Sequence, residues 1–420
     1  MKQTEKEYYW TIDQWILELV RKGIQEFDDI LLSLPGVYPQ DVFLSIQRLT
    51  DMQYIPKQIF DKANYYVSKS TVATNPGFLS RSLPVPHPLD FAWRFSRKSV
   101  NFLLETCYSL LKYSRGKIIL LGSPTVLQYL DRHFLEEDFI LIDSDPLIAE
   151  KLAVLRPRAQ VQCWDLSIEA HFSIQGDVVI VDPPWYPEYI HSFLSISTKL
   201  IKKNGIILLS FPADGTRPNI KHERKQTLDW ASEMGLILVG ISELRLSYVS
   251  PPFERNALSA VGIKNIPCEW RRSDLIIFRS NNENGDAIVK MPKSQNEWYD
   301  YSTGDVRIRV RGDYEEQFMD PRLDSIVIGD ILPSVSRRDP RRKGVDVWTS
   351  GNRVFSCKGK ATFVNILKSI TQKVDPCQTI EEYFKRSLSY EEKVMVEAAR
   401  KQILEVLHLE HVDICKYYWE

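Results

Sequence analysis

The decapeptide GDVVIVDPPW at residues 176–185 constrains the chain more than any other stretch. Its β-branched run, Val178 to Val181, reads as a short strand that stops at Asp182-Pro183-Pro184-Trp185. Continuous apolar character marks a strand of a parallel sheet, because helices cover both faces of such a sheet. Consecutive prolines fix φ and carry no backbone N–H, so neither a ladder nor a helix continues through them. The strand is therefore expected to end in a rigid set of acceptors: the Asp182 carboxylate, the Asp182 and Pro183 carbonyls, and the Trp185 face beside them. That set lies at the carboxyl edge of the sheet, where open α/β folds place their ligands.

The flanking segments repeat strand, turn and helix. Residues 117–121 (KIILL) form a first strand that turns through Gly122-Ser123-Pro124 into a helix over 125–134. Residues 139–142 (FILI) form a second, ending in Asp143-Ser144-Asp145-Pro146 before a helix over 147–155. Residues 161–164 form a third that ends at Asp165, and 205–210 (GIILLS) a fifth. This is the βαβ alternation of a parallel sheet. A helix over 91–113 covers one face. A strand over 236–241, a loop over 247–255 and a closing strand over 274–278 complete a seven-stranded sheet with an antiparallel pair at its edge.

An acceptor set of this kind suits a planar group bearing an NH2. The amine donates to Asp182 and to the Pro183 carbonyl, which holds its lone pair toward an electrophile, while Trp185 stacks on the ring. Asp-Pro-Pro-Trp resembles motif IV of the amino-methyltransferases that use S-adenosylmethionine, especially those that modify adenine N6. The resemblance spans about residues 115–212. It implies a Rossmann-like α/β fold, S-adenosyl-L-methionine as cofactor, and Asp182, Pro183, Pro184 and Trp185 as the catalytic set. In such a fold a carboxylate ending the second strand accepts both ribose hydroxyls, which assigns Asp143 with Asp145 as substitute; Asp165 accepts from the cofactor's adenine. Any one of these aspartates also serves as a helix N-cap.

The first turn departs from that family. Where most members carry a glycine-rich turn, this chain has Gly122, Ser123 and Pro124, so the Ser123 and Thr125 hydroxyls are expected to hold the cofactor's amino-acid tail. A similar Ser-Pro turn occurs in a subgroup of adenine-N6 methylases, some of whose members methylate a lysine of an elongation factor. The cofactor turn precedes DPPW here, the reverse of the messenger-RNA adenosine methyltransferases.

At 420 residues the chain exceeds what a single core holds, so several domains are expected. We expect an N-terminal helical, winged-helix-like module at 1–67, a linker at 68–90, the methyltransferase domain at 91–280 and a C-terminal α+β domain at 288–420. The boundary lies in the polar run NNENGDA at 281–287. The N-terminal module shows three short apolar periodicities, at 11–21, 26–34 and from Pro39. Its third helix exposes only Gln47 and Arg48, with Asp28, Asp29 and Asp41 nearby. Protein docking or homodimerisation therefore stands beside DNA binding as its role. Lys plus Arg is 54 against 55 Asp plus Glu, which excludes a uniformly basic coat but permits a local nucleic-acid groove.

Candidate groove residues are Arg337, Arg338, Arg341 and Arg342 with Trp348, combining phosphate contacts with a stacking aromatic, or else forming a solvated loop or an interface with another protomer. Tyr248 and Phe253 are loop aromatics placed over Trp185, or simply loop packing. The segment 211–225, with Arg217, Lys221, His222, Arg224 and Lys225, reads as a lid. The six cysteines are scattered, without CxxC or a Cys/His cluster, so no metal is expected. The charged start MKQTEKEYYW and the lack of a long apolar run lead us to expect a cytoplasmic protein without membrane contact. The leading expectation is N6-adenine methylation of nucleic acid. A lysine or polyamine acceptor on the same fold, and a non-catalytic scaffold, are the alternatives.

Overall fold

The computed structural model describes residues 3–69, 82–112, 115–165, 174–281 and 297–416. Four helices come first: α1 (Gln3–Arg21), α2 (Phe27–Ser33), α3 (Pro39–Asp51) and α4 (Lys57–Ser68). Their apolar faces meet in a core of Ile12, Ile16, Phe27, Val42, Ile46 and Ile59. The fourth helix exceeds the three expected, and no strand occurs among residues 3–69, so the module carries no wing there. Arg48, the expected base-seeking group, is ion-paired with Asp13 at 2.5 Å. The same core takes in Leu258, Ile263, Ile266 and Trp270, so the module is fused to the central domain by shared apolar packing.

The central domain runs β1 (Arg94–Phe95), α5 (Arg97–Leu110), β2 (Ile118–Leu121), α6 (Pro124–Gln128), β3 (Phe139–Asp143), α7 (Pro146–Leu155), β4 (Gln160–Cys163) and β5 (Gly176–Val181). It continues with α8 (Pro187–Leu200), β6 (Ile201–Pro212), α9 (Ile220–Glu233), β7 (Leu236–Val249), α10 (Pro252–Ala260) and β8 (Arg271–Ser280). The sheet order is β1-β7-β8-β6-β5-β2-β3-β4. Without the two-residue β1 this is the expected seven-stranded sheet, with β8 antiparallel between β6 and β7. The order reverses between β5 and β2, which makes that seam the switch point where such sheets bind ligands. Alternate residues of β2 and β5 feed opposite cores: Leu120, Val178 and Ile180 one, Leu121, Val179 and Val181 the other.

Three elements differ from expectation. The helix read over 91–113 is preceded by β1 and begins after Ser96, whose hydroxyl caps Ser99 N at 3.3 Å; Tyr113 lies outside the described residues. Helix α6 stops at Gln128 because the Arg156 guanidinium takes the carbonyls of Leu127, Gln128 and Leu130 at 3.1, 2.9 and 2.9 Å. The expected loop at 247–255 is instead the end of β7 followed by α10, with Pro252 at the first helical position, where its missing N–H costs nothing.

The C-terminal domain consists of β9 (Trp298–Thr303), β10 (Val306–Arg311), β11 (Leu323–Ser325), β12 (Val347–Thr349), β13 (Val354–Cys357), α11 (Lys360–Gln372), α12 (Pro376–Phe384) and α13 (Tyr390–Cys415). Its sheet order is β11-β13-β12-β10-β9, and the three helices share a core with it through Ile308, Val310, Phe363, Ile366, Val396 and Ile403. Residues 282–287 of the expected boundary, and 70–81 of the expected linker, lie outside the described residues. The described end of the linker is clamped between domains: Gln128 Nε2 donates to Ser82 Oγ at 2.7 Å, and Arg307 Nη1 to the Val85 carbonyl at 3.2 Å. Among the described residues no helix is long and apolar enough to cross a membrane.

Trp348 is a correction. It is 1% exposed, donates its indole N–H to Asn352 Oδ1 at 3.0 Å, and packs with Leu332, Val345 and Val354. Strand β12 is buried on both faces, Val347 in the main core of the domain and Trp348 in this second cluster, so the indole offers no face to a base. Trp348→Ala is expected to cost about 3–5 kcal/mol, as for other large-to-small aromatic truncations in a core. A urea unfolding midpoint at the wild-type value would contradict this packing.

Candidate active site

In-register pairing of β5 with β2 and β6, Leu121 opposite Val181 and Val181 opposite Leu209, brings the three strand ends together. Asp182 N donates to the Leu121 carbonyl at 3.2 Å, which docks the DPPW turn against the Gly122 turn. Gly122 has φ +64°, and a Cβ there would lie 3.3 Å from the Asp182 carbonyl and 3.1 Å from Phe193. Only glycine meets both demands without strain.

A cavity of about 690 Å³ opens at this seam. Its floor is made by Gly122, Asp143, Asp165 and Asp182 through Tyr186, its roof by Tyr38, Gln40 and Asp41 of the N-terminal module, and one side by Pro333 to Ser336 of the C-terminal domain. All three parts of the chain thus close on one site.

Asp182 is the chemical centre of the floor. Tyr248 Oη, from the end of β7, donates to its Oδ1 at 2.6 Å, and Ser210 of β6 bonds in turn to the Tyr248 hydroxyl. Burial pushes the Asp182 carboxyl up to about 7, against the opposing pull of the Tyr248 and Ser210 hydrogen bonds. The Trp185 ring meets Tyr248 edge-on at 5.4 Å, and the Arg271 guanidinium lies 5.5 Å from the Trp185 ring centroid. Arg271 is itself held by Glu254, with Nε 3.1 Å from Oε1.

The two aspartates after β3 divide their roles. Asp145 Oδ1 caps α7 through Leu147 N at 2.9 Å, and its Oδ2 lies 3.0 Å from Arg307 Nη1 of β10. Both aspartates line the cavity; among the described residues the Asp143 carboxylate accepts one hydrogen bond, from Asp145 N within the turn at 2.9 Å. Burial pushes Asp143 up to about 7, with the Asp145 and Asp90 charges adding to it. Asp145, which lines the same cavity, is in addition engaged by the helix and by Arg307 of the C-terminal domain. Asp165 reaches the same cavity from the end of β4.

Other expected residues fall elsewhere. Ser123 is buried, its hydroxyl donating to the Leu121 carbonyl at 3.3 Å, and Thr125 is buried behind it; neither lines the cavity, although Gly122 and Pro124 do. Phe253 is fully buried in α10 against Trp93 at 5.0 Å and does not line the cavity; Tyr248 does, from a strand and not a loop. The arginine stretch docks the C-terminal domain onto the central one. Arg337 Nη1 meets Glu188 at 3.0 Å, Arg338 Nη2 meets Glu223 at 3.2 Å, Arg341 pairs with Asp339, and Arg342 lies 4.4 Å over the Trp348 ring. Of the expected lid, Arg217 lines the cavity, whereas Arg224 is fixed to Asp274 at 2.8 Å.

Sequence reasoning missed the roof and the aromatic wall. Trp93 and Trp270 line the cavity on either side of Arg271, 4.7 and 4.9 Å from its guanidinium. Phe91 and Trp93 carried a signal, as aromatics directly after a proline-rich segment; Tyr38 and Gln40 carried none. No cluster of His, Cys, Asp and Glu able to hold a metal occurs among the described residues.

No protein-family profile matches the chain, and no curated protein matches it. Among solved structures it is similar to the branched-chain polyamine synthase from Thermus thermophilus in complex with N4-aminopropylspermidine and 5′-methylthioadenosine. That likeness has a TM-score of 0.52 at 11% identity over 70% of this chain and 95% of the other, and a C9 mutein of the same protein matches equally. A putative RNA methyltransferase from Pyrococcus horikoshii gives a TM-score of 0.36 at 16% identity over 48% of this chain and 93% of that one. At 11% identity the synthase likeness speaks for the fold alone, a Rossmann-like sheet.

Proposed function

We propose that this chain transfers a methyl group from S-adenosylmethionine to an amine placed against Asp182, and that the acceptor is the exocyclic amino group of adenine in nucleic acid. The observation that carries the reading is Asp182: a buried carboxylate at the end of the central strand, held by a tyrosine hydroxyl beside Trp185, in the same cavity as Asp143 and Gly122. The residues present fit the cofactor. Asp143 offers a carboxylate to the ribose hydroxyls, Asp165 an acceptor to the adenine amino group, and Gly122 a backbone that a ligand can approach closely. When bound, the sulfonium supplies an electrophilic carbon and a good leaving group.

The chain's own work is alignment and proton removal. Asp182 and the Pro183 carbonyl accept the two amine hydrogens and aim the lone pair, and Trp185 supports the ring. A base in a polymer enters such a cavity only after leaving its stack. Arg338, Arg341 and Lys343 are the exposed cations of the basic stretch and would meet the phosphates.

Two observations favour a second reading, aminopropyl transfer to an aliphatic polyamine. The likeness to the polyamine synthase extends over 95% of that protein, and Asp41, Asp143, Asp165 and Asp182 give the cavity an acidic lining suited to a polycation. The test is to supply S-adenosylmethionine and, separately, its decarboxylated form, with duplex DNA, single-stranded DNA, structured RNA, whole-cell protein and spermidine. Methyl label recovered as N6-methyladenine is expected. Label that enters only a lengthened polyamine, and only from the decarboxylated donor, transfers the conclusion to the second reading.

A further inference from the structure

We infer that Tyr248 is a positioning residue for the reaction: its hydroxyl fixes the rotamer of Asp182 and sets the pH at which that carboxylate accepts the substrate's proton. The inference rests on the proposed amine acceptor at Asp182 and adds to it a residue that the DPPW turn does not contain.

The geometry is a chain of buried hydroxyls beneath the carboxylate. Tyr248 Oη donates to Asp182 Oδ1 at 2.6 Å. Its single proton is thereby used, so the Ser210 hydroxyl, which also bears on Asp182 directly, is the one able to donate in the Ser210–Tyr248 bond, and Ser210 Oγ lies 3.1 Å from Ser273 Oγ. The three supporting groups come from β7, β6 and β8, adjacent or near-adjacent strands whose register is set by the ladder, so the array is rigid. Tyr248 is 1% exposed, wedged against Phe95 at 4.8 Å and Trp185 at 5.4 Å, which leaves its ring no second position.

A carboxylate that accepts one strong hydrogen bond on Oδ1 keeps its orientation while its charge changes. In the reaction the amine nitrogen forms the new N–C bond, the C–S bond breaks with its electron pair passing to sulfur, and the N–H proton passes to Asp182. Tyr248 neither gains nor loses a proton in this step; its hydroxyl, which burial and Asp182 push well above the usual phenol range, stays protonated throughout. It favours the ionised form of Asp182, so the acceptor is present at lower pH than burial alone would allow.

The groups facing Asp182 are few. From β2 comes the Leu121 carbonyl, from β6 Ser210, from β7 Tyr248 and from β8 Ser273; of these, Tyr248 is the titratable one. The Arg271 charge on β8 is directed to Glu254 and to the Trp rings.

The test is the titration of the Asp182 carboxyl carbon by NMR in the protein without cofactor, the resonance being identified by its loss in Asp182→Asn, together with the acid limb of the kcat profile. Tyr248→Phe keeps the ring and removes only the donor. It is expected to move both the titration midpoint and the acid limb upward by roughly one pH unit, the worth of about one hydrogen bond to a charged group. Ser210→Ala, which removes the donor behind Tyr248 without touching the ring packing, is expected to move both in the same direction by less. A midpoint that stays in place in both variants overturns the inference, even if kcat falls uniformly, because lost packing alone would do that. The parent reading fails separately, by Asp182→Asn retaining full activity.

Discussion

Asp182→Asn lowers the rate of methyl transfer by roughly 10³-fold, within the range expected when a positioned proton acceptor is removed, and leaves cofactor affinity nearly unchanged. The carboxamide keeps the size of the side chain and one acceptor oxygen, so it can still receive the Tyr248 hydroxyl. What it loses is the second acceptor. An NH2 then faces the substrate amine, donor against donor, and the lone pair is no longer held toward the electrophilic carbon. The check is single-turnover transfer beside calorimetric titration with S-adenosylhomocysteine. A wild-type rate would remove Asp182 from the mechanism.

The wild-type pH profile follows with its sign. Burial raises the Asp182 carboxyl to about 7, so the ionised acceptor is present above that pH and lost below it, and activity falls as pH drops through about 7.

Asp143→Ala weakens cofactor binding by about 10²- to 10⁴-fold, since one charge-assisted hydrogen bond to a ribose hydroxyl is worth roughly 1.5–3 kcal/mol and two are lost. Asp145→Ala acts on a different property. It removes the α7 cap, worth about 1 kcal/mol, and deprives Arg307 of a partner, so it lowers stability more than affinity. Equal affinity losses in the two variants would contradict the division of roles seen after β3.

Stability carries a further consequence. Asp143, Asp182 and Glu410 are each raised to about 7 by burial, so the folded chain binds their protons more tightly than the unfolded chain. Their contribution to stability is fully present below the ordinary carboxylate value of about 4 and is lost as pH rises toward 7. Asp143→Asn keeps the acceptor for Asp145 N but cannot ionise. It is expected to unfold at higher urea than wild type at pH 7.5, with the advantage shrinking as pH falls and gone below about pH 4. A buried carboxylate kept ready for a ligand costs stability that its uncharged analogue does not.

The floor of the site was legible because its causes are local. A β-branched run closed by two prolines determines a strand and its end, and Asp143 and Asp165 end neighbouring strands of the same period. Tyr248 was harder to place. The β7 ladder shifts register between Leu238 and Gly240 and again between Ser242 and Leu246, with Leu244 at φ +52°. Each shift resets which residues face inward, so alternation read from residue 236 fails before it reaches Tyr248. Trp348 misled for a related reason: an aromatic near arginines reads as a nucleic-acid platform, whereas Arg337 and Arg338 face acids of the central domain and the indole faces the core.

By itself, then, the sequence determined the parallel sheet, the position of its switch point and the acidic residues at the strand ends, since each follows from backbone and side-chain preferences within a few residues. Tertiary structure alone decided which aspartate is also tied to the C-terminal domain, that a tyrosine 66 positions away holds Asp182, and that the N- and C-terminal domains close the site. Those outcomes depend on burial and on charges brought together across domains. A carboxylate's partner and solvation exist only once the chain has folded around it.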